Sequence, residues 1–168
     1  MALKASIVYD HPYMQVFACL NDDRYREKYD GDIEKSDLIR KIAANTYLLY
    51  QKTKKVMVVA SRDMILVYHT IKCQHPKYAP KGGVIVFGFT PNPEMDQERP
   101  ATSAAIRASA VLAGWLLEKL DDNTTKATLF LETDLKGGLG NWVIKKALQS
   151  QSKQLVALKK TIPLYLKE

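Results

Sequence analysis

Only one stretch of this chain carries the spacing of a long amphipathic helix, and it comes last. From about Asn141 to Thr161, Ile144, Leu148, Leu155, Leu158 and Ile162 stay on one helical face, with lysines filling much of the rest. Gly137-Gly138-Leu139-Gly140 leads into it, and Pro163 is expected to end it. Most of what precedes reads as strand. A curved antiparallel sheet has to cover its inner apolar face, and this helix is the only long amphipathic element that can do so. The pattern predicts an α+β chain in which a sheet wraps around one C-terminal helix.

The strands can be placed in turn. Ala5 to Tyr9 reads as a short strand, followed by a helix over His11 to Asp22 with Met14, Val16, Phe17 and Leu20 at helical spacing. Acidic residues suit the start of a second short helix, Asp22 to Tyr29, which Gly31 breaks. Strand signals then cover Ile33 to Ala43, Thr46 to Gln51 and Val56 to Ile71. In the last, Met64, Leu66, Tyr68 and Thr70 share one face, and Ile65, Val67, His69 and Ile71 the other. Lys81-Gly82-Gly83 turns the chain into Val84 to Thr90, and the Pro-rich Pro91 to Pro100 is a loop. Ser103 to Leu120 is a long strand, Asp121-Asp122-Asn123 a turn, and Lys126 to Thr133 the final strand. No repeat or linker divides the 168 residues, so one domain is expected over 1–168.

Composition excludes several functions. Lys and Arg number 25 against 18 Asp and Glu, a net charge of +7 that favours anionic partners. From Asn141 onward Lys145, Lys146, Lys153, Lys159, Lys160 and Lys167 are opposed only by Glu168. No stacking-aromatic motif accompanies the charge, so nucleic acid is not an expected partner. Cys19 and Cys73 form no C-x-x-C pattern, which argues against a zinc site or disulfide framework and for a reducing cytosol. Met1 to Tyr9 is too short and polar for a signal peptide. No apolar run reaches the ~18 residues a membrane span needs. The glycines at 137–140 lack the Gly-Lys-Ser/Thr ending of a phosphate loop and read as a turn. His11, His69 and His75 show no ligand spacing, and no Ser-His-Asp or Cys-His set is present. No catalytic residue, metal or cofactor is expected.

Four segments, in order, carry a family resemblance. They are Asp23-Arg24-Tyr25-Arg26-Glu27-Lys28-Tyr29-Asp30; Ser61-Arg62-Asp63-Met64-Ile65; Ile106-Arg107-Ala108 followed by Gly114-Trp115-Leu116-Leu117-Glu118; and Thr133-Asp134-Leu135-Lys136-Gly137. Together they resemble the START domain, the lipid-transfer domain related to steroidogenic acute regulatory protein. Tyr29 stands where that family usually has Trp, Gly140 where it has Pro, and Trp142 keeps the aromatic. The similarity covers about residues 5–162. It implies the helix-grip fold, with two short helices after the first strand. The family's N-terminal helix and first two strands have no match here, which would leave an unpaired sheet edge open to dimerisation.

The resemblance also assigns roles. Arg26 and Asp30, four apart on a helix, can share a face. As surface residues they would form an ion pair worth under ~1 kcal/mol. In the phosphatidylcholine-transfer branch, however, the matching pair meets the lipid headgroup, and a guanidinium suits phosphate because its fork donates two parallel hydrogen bonds. Gln51 and Met64 match the aromatic positions of that branch's choline site, with Tyr50 adjacent; Gln51 and Tyr68 match the charged pair of the sterol-binding branch. Leu66 faces the same way as Met64 and Tyr68. Lys52, Lys54 and Lys55 with Val56, Met57, Val58 and Val59 fall at the family's gate loop, where lysines would attract anionic headgroups and apolar residues would dip into the interface. Pro91 to Pro100 would be a second loop by the mouth. Trp142, Ile144, Leu148, Leu155 and Leu158 would form a lid, with Lys145, Lys146 and Lys153 facing a membrane.

The expected function is lipid binding and transfer without catalysis: a phospholipid or sterol held in an internal tunnel. The expected place is the cytoplasm, with transient contact to an anionic membrane surface. A sensing or interaction module that binds lipid without moving it is the alternative, and a helix-grip enzyme acting on a small hydrophobic substrate ranks below both.

Overall fold

Runs of β-branched and aromatic residues set the strands, and the chain turns where Gly, Asn or Asp allows it. The computed structural model describes residues 1–55 and 59–167. In chain order the elements are β1 (Ala2–Tyr9), α1 (Tyr13–Asn21), α2 (Asp23–Tyr29), β2 (Ile33–Ala43), β3 (Thr46–Thr53), β4 (Arg62–His75), β5 (Ala79–Phe89), α3 (Pro93–Asp96), β6 (Ile106–Arg107), β7 (Ser109–Lys119), β8 (Thr125–Asp134) and α4 (Asn141–Tyr165). One open eight-stranded sheet runs β1-β8-β7-β5-β4-β3-β2, with β6 paired to β4. Every pairing along the path is antiparallel; only the two-residue β6 is parallel. This is the α+β helix-grip architecture that the sequence pattern and the resemblance imply.

Apolar residues bury on both faces of the sheet. The main core joins the inner face to all three longer helices, through Tyr9, Val16, Tyr25, Trp115, Leu129, Leu155, Leu158 and Ile162. A smaller cluster of Leu48, Tyr50 and Ile65 lies on the outer face, with Met95 of α3 packed against it. The sheet is tight at Gly114, where a Cβ would collide with the Val86 carbonyl oxygen and the Phe87 backbone across the β7–β5 pairing. That is a physical reason for glycine beside Trp115.

Several boundaries differ from expectation. β1 begins at Ala2 because Leu3 and Ala5 join Ile7 against the main core. β4 begins at Arg62, and Val56, Met57 and Val58 lie outside the described residues. The strand expected from Ser103 divides at Ala108. Ile106 N–H donates to the Ser61 carbonyl at 3.0 Å and Ala108 N–H to the Asp63 carbonyl at 2.9 Å, which draws β6 onto β4. Pro163 does not end α4: the helix forgoes the one hydrogen bond that an N–H at this position would give the Lys159 carbonyl, and Tyr165 goes on to meet Tyr25 edge-on at 5.3 Å between ring centroids.

The 91–100 segment is not a loose loop by a cavity mouth. It contains α3, capped by Asn92 Oδ1 accepting from Met95 N–H at 3.1 Å. Arg107 donates to Asp63 at 2.9 Å and to Asp96 at 3.0 Å. Arg40 pairs with Glu98 at 2.7 Å. Arg99 pairs with Asp37, and its guanidinium lies 3.8 Å from the Tyr50 ring centroid. The segment is therefore fastened to the outer face of β2, β3 and β4.

Candidate functional site

A cavity of about 270 Å³ lies between the inner face of the sheet and the first half of α4. The strands contribute a largely apolar wall: Ile33, Met64, Leu66, Ala110, Ala113 and Leu131, with Gln51, Thr53, Arg62 and Thr133 among them. Asp30 and Asp32 reach it from the α2–β2 turn, and Lys54, Val59 and Ala60 from the segment before β4. Trp142, Val143, Lys146, Ala147, Ser150 and Gln151 cover it from α4, and Met1, Leu135 and Leu139 complete it.

The long helix divides its work along its length. The six α4 residues on the cavity recur at steps of one, three, one, three and one, which keeps them on one face. Past Gln151 the helix leaves the cavity, and Leu155 and Leu158 enter the main core beside α1, α2 and β1. These two therefore anchor the helix in the core and do not line the cavity. Ile144 and Leu148 are half-buried and do not line the cavity; Ile144 lines a neighbouring hollow of about 240 Å³. A single apolar stripe read off the sequence merges two stretches that meet different neighbours.

Asp32 clasps the middle of α4. Its carboxylate accepts from Ser150 Oγ at 2.8 Å and Gln151 Nε2 at 3.2 Å, and its carbonyl accepts from Lys54 N–H at 2.8 Å. Asp32→Ala removes both side-chain ties and is expected to cost about 1–3 kcal/mol, since hydrogen bonds to a charged group are worth more than neutral ones. Amide hydrogen exchange checks where the cost falls. Residues 142–151 should exchange faster while Leu155 to Ile162 stay protected; unchanged exchange throughout would discount the clasp.

Arg26 and Asp30 do not close into an ion pair. The carboxylate nearest Arg26 Nε is Asp23 Oδ1 at 3.8 Å. Asp30 lines the cavity and Arg26 does not. Arg26 Nε and Asp30 Oδ1 are both buried without a hydrogen-bond partner among the described residues. Burial alone would lower the Arg26 pKa, but Tyr29, Tyr68, Asp30 and Asp23 hold it above its ordinary value. Burial pushes the Asp30 carboxyl up to about 6, with Arg26 pulling it down and Asp32 adding to the rise. An acid held this way in a cavity wall is a candidate for ligand contact.

The other sequence-nominated residues separate. Gln51, Met64, Leu66, Val59 and Trp142 line the cavity. Tyr50 does not: strand alternation turns it to the outer face beneath Arg99. Tyr68 packs against the main core, and its hydroxyl donates to Asn21 Oδ1 at 3.3 Å. Lys52 pairs with Glu34 at 2.7 Å. Lys54 and Lys146 stand at the cavity wall, while Lys55, Lys145 and Lys153 are exposed. Arg62, Thr133 and Asp32 were not nominated, although Arg62 lies within a quoted motif and Thr133 opens another.

The model of the START domain family matches residues 1–159. In sequence the chain is similar to START domain-containing protein 10 of Mus musculus and of Homo sapiens, at 23% identity over 153 residues, which is 83% of this chain and 45% of each relative. The chain thus spans about half the length of the curated relatives it matches. In structure it is similar to human StAR-related lipid transfer protein 5, with a TM-score of 0.80 at 17% identity over 98% of this chain and 76% of that one. The crystal structure of human STARD10 gives 0.78 at 20% identity, over 99% and 66%. At these identities the structural likeness is one of fold.

Proposed function

The chain belongs to the START domain family, and from that premise we propose that it carries a lipid in the cavity beneath α4 and does no chemistry on it. The observation that carries this reading is the cavity itself: its wall is largely apolar, and half of one helix covers it. Binding then rests on apolar burial, at about 25 cal/mol per Å² removed from water. A volume of about 270 Å³ stands just under the ~300–1,000 Å³ of most small-molecule pockets. A single chain or ring system fits such a space, and a two-chain phospholipid requires α4 to lift.

Phospholipid and sterol are the ligand classes in view. Asp30 and Gln51 would meet the polar end, with the Arg26 charge close enough to act on Asp30. Tyr50 and Tyr68 drop out of that role. Opening would use Val59 and the first half of α4, near Trp142, Lys54, Lys55, Lys145 and Lys146. That combination of lysines and an exposed indole suits transient contact with an anionic membrane surface. No described helix is long and apolar enough to cross a membrane. Two free cysteines fit a reducing cytoplasm. β1 ends the sheet path, so its outer edge is where a second copy would pair.

The test is native mass spectrometry of the purified protein with lipid extraction, followed by transfer of labelled lipid between vesicles. Co-isolated lipid, and transfer that quickens with anionic acceptor vesicles, is the expected result. Binding without transfer would make the protein a sensor. Failure to take up any lipid from a broad array would remove the reading.

A further inference from the structure

We propose that Arg62 and Thr133 form a second polar subsite in the cavity, one that takes the anionic end, phosphate or carboxylate, of the bound lipid. The proposal rests on the carrier reading and narrows its ligand class.

Arg62 is the exception among six arginines. Arg24, Arg26, Arg40, Arg99 and Arg107 each have a carboxylate oxygen within 3.8 Å. Arg62 has none within ion-pair distance among the described residues, although it is only 5% exposed. Its Nε donates to the Leu135 carbonyl at 3.1 Å, one terminal nitrogen to Ala60 at 2.5 Å, and the other to Lys136 at 3.2 Å. These bonds use three of five N–H groups and hold the plane of the guanidinium. Carbonyl dipoles do not neutralise it. A buried cation without a counterion is costly, and burial lowers its pKa.

Thr133 supplies an independent observation. It is 7% exposed, lines the same cavity, and its buried Oγ1 has no hydrogen-bond partner among the described residues. It stands two residues before Leu135, whose carbonyl holds Arg62. A ligand oxygen seated there would gain a charge-assisted bond from Arg62 and a bond from the threonine hydroxyl. The other side-chain charges of the wall balance, Lys54 and Lys146 against Asp30 and Asp32, and the Asp32 carboxylate is engaged by Ser150 and Gln151. The Arg62 charge is therefore the excess one on this wall. A sterol hydroxyl would leave the Arg62 charge uncompensated.

The test compares three probes with one twelve-carbon tail: dodecanoate, dodecyl phosphate and 1-dodecanol. Each is titrated by calorimetry into the full chain at pH 7.5, with inorganic phosphate as a tail-less control. The wild-type protein is expected to bind at least one anionic probe about tenfold or more tightly than the alcohol. Whichever anion leads identifies the headgroup chemistry. Arg62→Gln should bring that preference to within about twofold, and Thr133→Val should weaken the preferred anion about three- to tenfold. If Arg62→Gln fails to fold, the wild-type ratio and Thr133→Val decide. Equal binding of alcohol and anions overturns the subsite and leaves the carrier reading standing. Competition by inorganic phosphate alone also overturns it, assigning Arg62 to a soluble anion. No uptake of any tailed probe removes both.

Discussion

Asp63→Ala is expected to destabilise the protein by about 3–5 kcal/mol, the cost of leaving one member of a buried ion pair without the other. Asp63 is fully buried, and Arg107 meets it through Nε at 2.9 Å and a terminal nitrogen at 3.3 Å. The same guanidinium donates to the Asp96 side chain and to the Arg99 carbonyl, so it holds the 91–100 segment against the outer face of the sheet. Without Asp63, the guanidinium keeps Asp96 but loses its forked partner. Arg40→Ala is the contrast. Its pair with Glu98 is solvent-exposed, and pairs of that kind contribute little to stability. Urea unfolding of Asp63→Ala, Arg107→Ala and the double variant measures the coupling directly. The double variant should fall short of the sum of the singles by about 2 kcal/mol, because the second deletion removes a charge the first had already orphaned. The cavity lies on the other face, so lipid binding by folded Asp63→Ala should match wild type. A loss within about 1 kcal/mol for Asp63→Ala would contradict this account of the cluster.

The fold was legible because runs of strand residues give way to one long helical stretch at the end of the chain. β1 alternates residue by residue, and after two short helices and a long run of strands the chain takes up sustained helical spacing only at Asn141. The site was less so. β3 reads Thr-Tyr-Leu-Leu-Tyr-Gln-Lys-Thr, with large residues on both faces. Alternation cannot then say whether Tyr50 or Gln51 faces inward. The outer face is also covered, by α3 and its ion pairs, and that cover makes Tyr50 a buried residue away from the cavity. Arg62 was hidden for a different reason. Its carbonyl partners Leu135 and Lys136 lie 73 and 74 residues away in the chain, so no local pattern distinguishes it from an arginine at a strand end. A signal did exist in the neighbouring Asp63. An Arg-Asp dipeptide opening a strand sends its two side chains to opposite faces, so both cannot be satisfied by each other. Here Asp63 turns outward to Arg107, and Arg62 turns inward to the cavity.

Asp30→Asn is expected to make the ligand-free protein more stable at pH 7, by up to about 3 kcal/mol. The sign follows from the direction of the pKa shift. Burial raises the Asp30 carboxyl from 3.8 to about 6, so below pH 3.8 it is neutral whether the chain is folded or not, and the shift costs nothing. Between pH 4 and 6 the unfolded chain ionises first, and folding stability falls as pH rises. Above about pH 6 the loss is complete, at roughly 1.4 kcal/mol per tenfold change in proton affinity. Asparagine keeps the shape and never ionises. The difference between variant and wild type should therefore vanish near pH 3.5, open between pH 4 and 6, and stay level above pH 7. Urea midpoints across that range measure it. Equal stability at pH 7, or a gap that widens on acidification, would show that the carboxylate is not held at a cost. A residue that weakens the empty protein while lining its cavity has the profile of a group retained for binding. The more stable Asp30→Asn variant should accordingly retain less co-purified phospholipid than wild type. Undiminished retention would remove Asp30 from the polar end of the ligand site and leave only its effect on stability.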